Sequence, residues 1–389
     1  MSDFLSPDGD GLPPASGAWK PGDPVGKRTF VDVFDQQPLA LEAGGTFGGS
    51  AAPITVAYES WGTLNAACDN AVLVLHALTG DSHVVGERGP GHPTPGWWDG
   101  LIGPGKVFDT EKYFVVAPNV FGGCQGTTGP SSLGPDGVPY GSSFPLITIR
   151  DQVAVEQAFA SAIGIERFHT IVGGSMGGMR ALEWAIMAPK RVERLILLST
   201  GASATGEQIA LCSIQSHAIK LDPNYRNGDY YDALAGEGPW RGMGVARRIA
   251  QLSYRTRDEF IERFGRDPQP GEDPMEGGRF SAEGYLDYQA KKLAWRFDAN
   301  TYLVLSRAMD LHDVGRDRGG LEAALAMVEA KTLVVGFSTH RLYSIDEQRF
   351  LVNGIRSAEG LVELDSFLGH DAFLLEVTAL SPSVAAHLA

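Results

Sequence analysis

The stretch Ile171-Val-Gly-Gly-Ser-Met-Gly-Gly-Met179 contains the pattern Gly-x-Ser-x-Gly, with Ser175 at its centre. The preceding residues, Phe168–Val172, predict a short buried strand, and Met179–Met187 predict a helix. A serine at a strand-to-helix turn stands out at its tip, and flanking glycines let other backbone approach it closely. This context predicts a nucleophile elbow, whereas the pattern alone would equally suit a glycine-rich packing turn.

The composition is that of a globular protein, with 389 residues, 43% hydrophobic and 20% charged. The net charge of −15 argues against nucleic-acid partners and against binding to an anionic membrane. The cysteines at 68, 124 and 212 are widely spaced, which predicts no disulfide framework and fits a cytoplasmic location. Residues 1–27 are rich in Pro, Gly, Asp and Ser, so we expect a disordered N-terminal tail rather than a signal peptide.

Strand and helix patterns alternate on both sides of the serine motif. Residues 28–47 and Ile54–Trp61 suggest two antiparallel strands joined through Gly44-Gly45, and later apolar runs predict buried parallel strands. The alternation stops near Gly201, after six central strands, and a helix-rich block follows. We therefore predict an α/β fold in which residues 28–200 and 331–389 form a mostly parallel core and 201–330 form an inserted helical lid.

A serine hydroxyl needs a base to act as a nucleophile at neutral pH. In α/β hydrolases the partners follow in the order serine, acid, histidine, and His370 fits this order because it follows the last predicted strand. The backbone N–H groups of Leu78 and Met176 are the candidate oxyanion hole. We expect no metal, since no His/Cys/Asp cluster has ligand spacing, and no dinucleotide cofactor, since no Gly-x-Gly-x-x-Gly lies in a suitable place.

Several longer motifs together resemble the homoserine O-acetyltransferase family over nearly the whole chain from about residue 29. They are His76-Ala-Leu-Thr-Gly-Asp-Ser-His83, Gly103-Pro-Gly-Lys106, Asn119-Val-Phe-Gly-Gly-Cys-Gln-Gly-Thr-Thr-Gly-Pro130, Ile149-Arg-Asp-Gln152, Gly173–Gly178, Ala246–Arg255, Tyr285–Gln289 and Gly369–Leu374. The resemblance implies an α/β-hydrolase core with a helical lid and a homodimer formed through lid helices. It also implies acetyl-CoA as a co-substrate, no cofactor, and a ping-pong transfer through Ser175 to L-homoserine.

The resemblance also implies roles for residues that sequence patterns alone do not single out. Arg247 matches the arginine that binds the carboxylate of the amino acid, and Tyr254 matches a tyrosine of the site. Asp371 matches the acid that pairs with the substrate ammonium. Seven residues separate Arg247 from Tyr254, so one helix face can present both side chains to a single cleft.

The chain departs from the family pattern at the triad acid. Thirty residues before His370, where relatives carry an aspartate, this chain has His340 within Gly336-Phe-Ser-Thr-His-Arg-Leu-Tyr343. Three interpretations are open: a weak transferase running on Ser175 and His370, a substitute carboxylate such as Asp346, or a paralogue with lost or changed activity. A small-ester hydrolase and a non-catalytic binding protein are the alternatives to a transferase.

Overall fold

The computed structural model describes residues 11–389, and most of its strands join in one central sheet. The strands are β1 (Thr29–Val33), β2 (Leu39–Ala40), β3 (Thr46–Phe47), β4 (Ile54–Trp61), β5 (Ala71–Leu75), β6 (Phe114–Pro118), β7 (Phe168–Gly174), β8 (Val192–Leu198), β9 (Lys331–Phe337) and β10 (Ala358–Leu364). The central sheet has eight strands in the order β1-β4-β6-β5-β7-β8-β9-β10. All neighbours from β6 to β10 are parallel, and only β1 and β4 add antiparallel pairs at one edge. The α/β-hydrolase core predicted from the sequence is confirmed.

The helices lie around this sheet and in one long block between β8 and β9. They are α1 (Ile149–Ala162), α2 (Met176–Met187), α3 (Gly206–Lys220), α4 (Trp240–Tyr254), α5 (Arg257–Phe264), α6 (Ser281–Ala294), α7 (Ala299–Asp310), α8 (Leu321–Leu325), α9 (Ile345–Gly354), α10 (Ala372–Leu375) and α11 (Val377–Leu388). Helices α3–α8 fall within the predicted segment 201–330. No helix among residues 11–389 is long and apolar enough to span a membrane.

Local sequence explains where the helices around the site begin. Thr148 starts α1 and Ser344 starts α9, each in a capping box in which the side chain three residues on returns a hydrogen bond. The strand β5 is buried at every position, and β7 and β8 are buried over most of their length, because helices cover both faces of the sheet. The loops that form the site therefore extend from the carboxyl edge of a sheet that has helices on both faces.

The prediction of one long strand across residues 28–47 is wrong. The chain instead forms β1 and then a separate two-stranded hairpin of β2 and β3, with Gly44 and Gly45 in its turn at positive φ. The predicted antiparallel partner of Ile54–Trp61 is β1 alone. The hairpin leaves the sheet because the turn residues between Phe34 and Leu39 interrupt the alternating pattern, and Phe34 itself has φ of 54°.

The prediction of a disordered tail over 1–27 is wrong for residues 11–27; residues 1–10 lie outside the described part. Gly17 N–H donates to the carbonyl of Phe297 and Trp19 N–H to that of Cys124. Ser16 Oγ donates to Asp298 Oδ1 at 2.8 Å. A composition poor in apolar residues predicted disorder, but these backbone and side-chain hydrogen bonds fix the segment against the body of the protein.

Candidate active site

Ser175 lies at the sharp turn between β7 and α2, with φ of 54° and ψ of −124°. Such a conformation is costly for a residue with a side chain and persists only where the surroundings impose it. Ser175 occupies the N-cap position of α2, yet its hydroxyl makes no capping hydrogen bond. The hydroxyl is therefore available to a partner outside the helix, which is the geometry of a nucleophile elbow.

The glycines around Ser175 are required by close contacts. A Cβ on Gly177 would lie 2.0 Å from the carbonyl oxygen of Leu75, and one on Gly173 would lie 2.2 Å from that of Gly177. A Cβ on Gly174 would lie 2.5 Å from the ring of Phe373, in the segment that follows His370. These glycines let β5, α2 and the His370 segment approach the serine together.

His370 is brought to the serine from the loop after β10. Its Nε2 lies 3.0 Å from Ser175 Oγ, and its Nδ1 lies 2.6 Å from Nε2 of His340 on the loop after β9. The Nδ1 of His340 in turn accepts a hydrogen bond from the backbone N–H of Tyr343 at 2.8 Å. The structure thus forms a continuous chain from Tyr343 through both imidazoles to Ser175.

Both imidazoles are buried and neutral. Burial lowers the pKa of His370 to about 3, and burial together with the neighbouring His370 lowers the pKa of His340 well below its usual range. Within residues 11–389 no carboxylate hydrogen-bonds to either ring. His370 is therefore neutral, as a general base must be, but it lacks the negative charge that usually supports it.

A cavity of about 160 Å³ opens beside Ser175 and His370. Arg247 and Tyr254 on α4 both line it, and the Arg247 guanidinium lies 5.8 Å from the centre of the Tyr254 ring. Within the described chain Arg247 makes no hydrogen bond or ion pair, and its Nε is buried. Burial raises the pKa of Tyr254 to about 12, so its hydroxyl stays protonated.

Asp371 also lines this cavity, but the structure gives it a protein partner. Arg255, just after α4, places its Nη2 at 2.9 Å from Asp371 Oδ2. The ion pair is partly buried and joins the lid to the His370 segment. Gly369, with φ of 62°, allows this contact, since a Cβ there would lie 2.5 Å from the carbonyl oxygen of Tyr254. A ligand that binds Asp371 would therefore share it with Arg255.

Leu78 lines the cavity, and Met176 is the residue that follows Ser175 at the start of α2. Both are buried, and within residues 11–389 neither backbone N–H donates a hydrogen bond. Buried backbone N–H groups without a partner are rare. Two such groups beside a nucleophile match the requirement of an oxyanion hole.

Three residues near the serine were missed by the sequence analysis. Arg296 and Asp81 line the cavity, with Arg296 Nη1 at 3.9 Å from Asp81 Oδ2. Tyr343 forms a side-chain hydrogen bond with Ser175, which lowers the pKa of Tyr343, but burial has the larger effect and raises it. Asp81 lies in the motif at residues 76–83 and Tyr343 in the segment 336–343. No local sequence signal distinguishes a residue that lines the cavity from one with a structural role. Arg296 gives no sequence signal at all.

Asp346, the suggested substitute acid, is placed away from His370. Its side chain is 84% exposed and pairs with Arg349 at 2.9 Å, near the start of α9. The next acid, Glu347, is engaged in the capping box with Ser344. Neither carboxylate hydrogen-bonds to the imidazoles.

Among residues 11–389, tertiary folding does assemble one cluster with metal-ligand chemistry, namely Glu59, His83 and His92. Most of its atoms already have partners: His83 Nδ1 lies 3.0 Å from Glu59 Oε2, and His92 Nε2 accepts the Lys27 N–H. The two imidazoles stack with centroids 3.8 Å apart. Three of the four ring nitrogens have partners, since His83 Nε2 also lies 3.3 Å from the carbonyl oxygen of Glu87, whereas His92 Nδ1 is buried without a hydrogen bond in residues 11–389. The stacked pair and Glu59 suit a structural network beneath the N-terminal segment.

A model of the alpha/beta hydrolase fold matches residues 70–363. The homoserine O-acetyltransferase of Thermobifida fusca is 56% identical over 368 residues, covering 95% of both chains. The chain belongs to the homoserine O-acetyltransferase family.

Solved structures agree with the family on fold. The homoserine O-acetyltransferase of Bacillus anthracis superposes with a TM-score of 0.82 at 28% identity, covering 93% of this chain and 97% of that one. Esterase E22 superposes equally well, with a TM-score of 0.82 at 30% identity and coverage of 93% and 99%. The fold is thus shared with an ester hydrolase, and the sequence relatives assign the family.

Gly177→Ala tests the packing of the elbow. The new Cβ would collide with the Leu75 carbonyl, and a backbone atom cannot move aside as a flexible side chain can. We expect a loss of stability of roughly 2–4 kcal/mol, in the range of severe core mutations, measured by urea denaturation. Gly206→Ala is the matched control, because nothing lies within 4 Å of its Cβ and it begins α3. Equal stability of the two variants would contradict this account.

Proposed function

We propose that the protein transfers an acetyl group from acetyl-CoA to the side-chain hydroxyl of L-homoserine, through an acetyl ester on Ser175. The observation that carries the proposal is the 3.0 Å contact of His370 Nε2 with Ser175 Oγ at a cavity lined by Arg247, which forms no ion pair within residues 11–389. Membership in the family supports the identity of donor and acceptor.

In the first half-reaction the Ser175 oxygen attacks the thioester carbon while His370 Nε2 takes the hydroxyl proton. The carbon–sulfur bond breaks, and His370 returns the proton to the departing CoA thiolate. In the second half-reaction the homoserine hydroxyl gives its proton to His370 and attacks the acetyl ester. The bond to Ser175 breaks, and its oxygen recovers the proton.

Each half-reaction passes through a tetrahedral intermediate with a negative oxygen. The unpaired N–H groups of Leu78 and Met176 are proposed to bind that oxygen. Donors that are buried and already without partners need no rearrangement when charge develops. This supports a stabilisation of several kcal/mol; one such donor contributes about 3–4 kcal/mol in a measured case.

Recognition of homoserine is proposed to use both charged ends of the amino acid. Arg247 has no hydrogen-bond or ion-pair partner in the described chain, so its guanidinium can bind a carboxylate in bidentate fashion. Asp371 would pair with the ammonium group while keeping its contact with Arg255. Tyr254 lines the same cavity, with its ring centre 5.2 Å from that of His370.

The position of His340 is proposed to be that of the missing triad acid. Its contact with His370, together with the exposed position of Asp346, supports the interpretation in which Ser175 and His370 work without a carboxylate. In a serine protease, changing the triad acid to its amide lowers turnover about ten-thousandfold. We therefore expect slow transfer rather than none.

Purified protein given acetyl-CoA and L-homoserine should release free CoA thiol, measured with a thiol reagent. Ser175→Ala should abolish this release, since loss of the nucleophile costs about 10⁶ in turnover in a serine hydrolase. Thiol release that does not depend on homoserine would indicate hydrolysis. No release at any protein concentration, with a working homologue beside it, would reject the proposal.

Arg247→Ala tests recognition of the acceptor. We expect kcat/KM for homoserine to fall roughly 10- to 100-fold, mostly through KM, because a charged hydrogen-bonding partner is lost. Release of p-nitrophenol from p-nitrophenyl acetate should stay unchanged, as that ester carries no amino-acid carboxylate. Arg248→Ala is the control on the same helix, since Arg248 pairs with Asp287 instead. Equal effects in the two variants would count against this role.

We also propose a cytoplasmic homodimer formed through the lid. The three cysteines are unpaired, which suits a reducing compartment. Ile214 on α3 and Val245 and Leu252 on α4 are apolar and 45–55% exposed, as an interface would require. Sedimentation should give a dimer for the unaltered protein and a monomer for Leu252→Asp. A monomer in both cases would exclude this assembly.

A further inference from the structure

His340 has its tautomer fixed by the backbone. The Tyr343 N–H points at His340 Nδ1 across 2.8 Å, and a backbone amide nitrogen can only donate. Nδ1 must therefore carry a lone pair. A neutral imidazole has one proton, so that of His340 is on Nε2.

A protonated His340 is excluded by the same surroundings. The residue is 6% exposed, and its neighbours offer it no carboxylate: Nε2 faces His370 and Nδ1 faces the Tyr343 amide. A second proton on Nδ1 would oppose that amide donor. Burial and His370 both lower its pKa, in agreement with the geometry. His340 thus stays neutral with its proton directed at His370.

The hydrogen bond between the two imidazoles then has only one direction. His340 Nε2–H donates to His370 Nδ1 across 2.6 Å, so Nδ1 is the acceptor. Neutral His370 must carry its own proton on Nε2, which lies 3.0 Å from Ser175 Oγ. That nitrogen faces the serine as a donor, whereas a base needs a lone pair there.

We propose that His340 is a positioning residue that holds His370 in the tautomer unable to accept the serine proton. The inference rests on the proposed function of Ser175 and His370 as nucleophile and base. A carboxylate at this place would accept from Nδ1–H and leave the Nε2 lone pair free. His340 reverses the direction of that hydrogen bond.

The same reversal acts on the reactive state. When His370 takes the serine proton it becomes an imidazolium with an N–H at each nitrogen. Its Nδ1–H would then face the Nε2–H of His340, and two donors would oppose each other across a short contact. His340 therefore opposes both the reactive tautomer and the charged intermediate. Removing its ring should accelerate the reaction, although it is the nearest neighbour of the base.

The decisive variant is His340→Ala. If His340 were a weak helper that orients the base, its loss would slow acetylation of Ser175. The proposal requires the opposite, since water in the vacated space can accept from His370 Nδ1–H. We expect roughly tenfold faster acetylation, because one opposing hydrogen bond is removed. His340→Asp and His340→Glu, which supply a carboxylate acceptor, should gain about 10³- to 10⁴-fold.

The readout is the burst of p-nitrophenol from p-nitrophenyl acetate, with acetylated Ser175 identified by mass spectrometry. This step needs neither homoserine nor CoA, so it remains informative if another acceptor proves correct. Arg341→Asp is the matched control, because it adds a carboxylate one residue away on an exposed side chain. It should leave the burst unchanged. A slower burst in His340→Ala would overturn the proposal.

Nitrogen-15 spectra of histidine side chains test the tautomer directly, even where variants fold poorly. The unaltered protein should show His370 protonated at Nε2, with its signals assigned by comparison with His370→Gln. His340→Asp should show protonation at Nδ1 instead. A resting protein with the His370 proton on Nδ1 would overturn the inference whatever the kinetics.

Discussion

The hydrogen bond between His370 and Ser175 depends on how closely three backbone segments can approach one another. The Leu75 carbonyl, the start of α2 and the ring of Phe373 all come to within van der Waals contact of glycines beside the serine. Any Cβ at these glycines would separate the segments. Close packing therefore allows the strained Ser175 backbone, with φ of 54°, to persist.

The parallel sheet sets the partners of this contact. Neighbouring strands β9 and β10 end side by side, with Phe337 opposite Leu364. The loops that follow them therefore carry His340 and His370 to one place, although thirty residues separate them in the chain. The lid completes the site from the other side, since Arg255 just after α4 pairs with Asp371 beside His370. The lid and the segment that carries the base are thus joined by an ion pair.

The second imidazole changes what this arrangement can do. A carboxylate only accepts hydrogen bonds, so it imposes one tautomer on its histidine and stabilises the cation. An imidazole can donate or accept, and its surroundings decide which. Here the backbone N–H of Tyr343 fixes the tautomer of His340, and His340 in turn fixes the tautomer of His370. The proton of His370 is thereby held on the nitrogen that faces Ser175. The side chains keep the positions of a triad, but the hydrogen bond to the Nδ1 of His370 runs in the opposite direction.

The sequence by itself determined the elements whose signals are local. The elbow, strands such as Ala71–Leu75 and Val192–Leu198, and the helical block after β8 follow from periodicity, glycine placement and caps within short windows. His370 could also be proposed, because the order of serine and histidine along the chain can be read directly from the sequence.

Composition wrongly predicted disorder for residues 11–27, since the hydrogen bonds that order them come from Cys124 and Phe297, far along the chain. Only the tertiary structure decided the pairing of Asp371 with Arg255, the exposure of Asp346 and the position of Arg247 at the cavity. It also decided the direction of the hydrogen bond between the imidazoles. The physical reason is that a side chain's partner and its proton depend on contacts between distant segments, which no local pattern encodes.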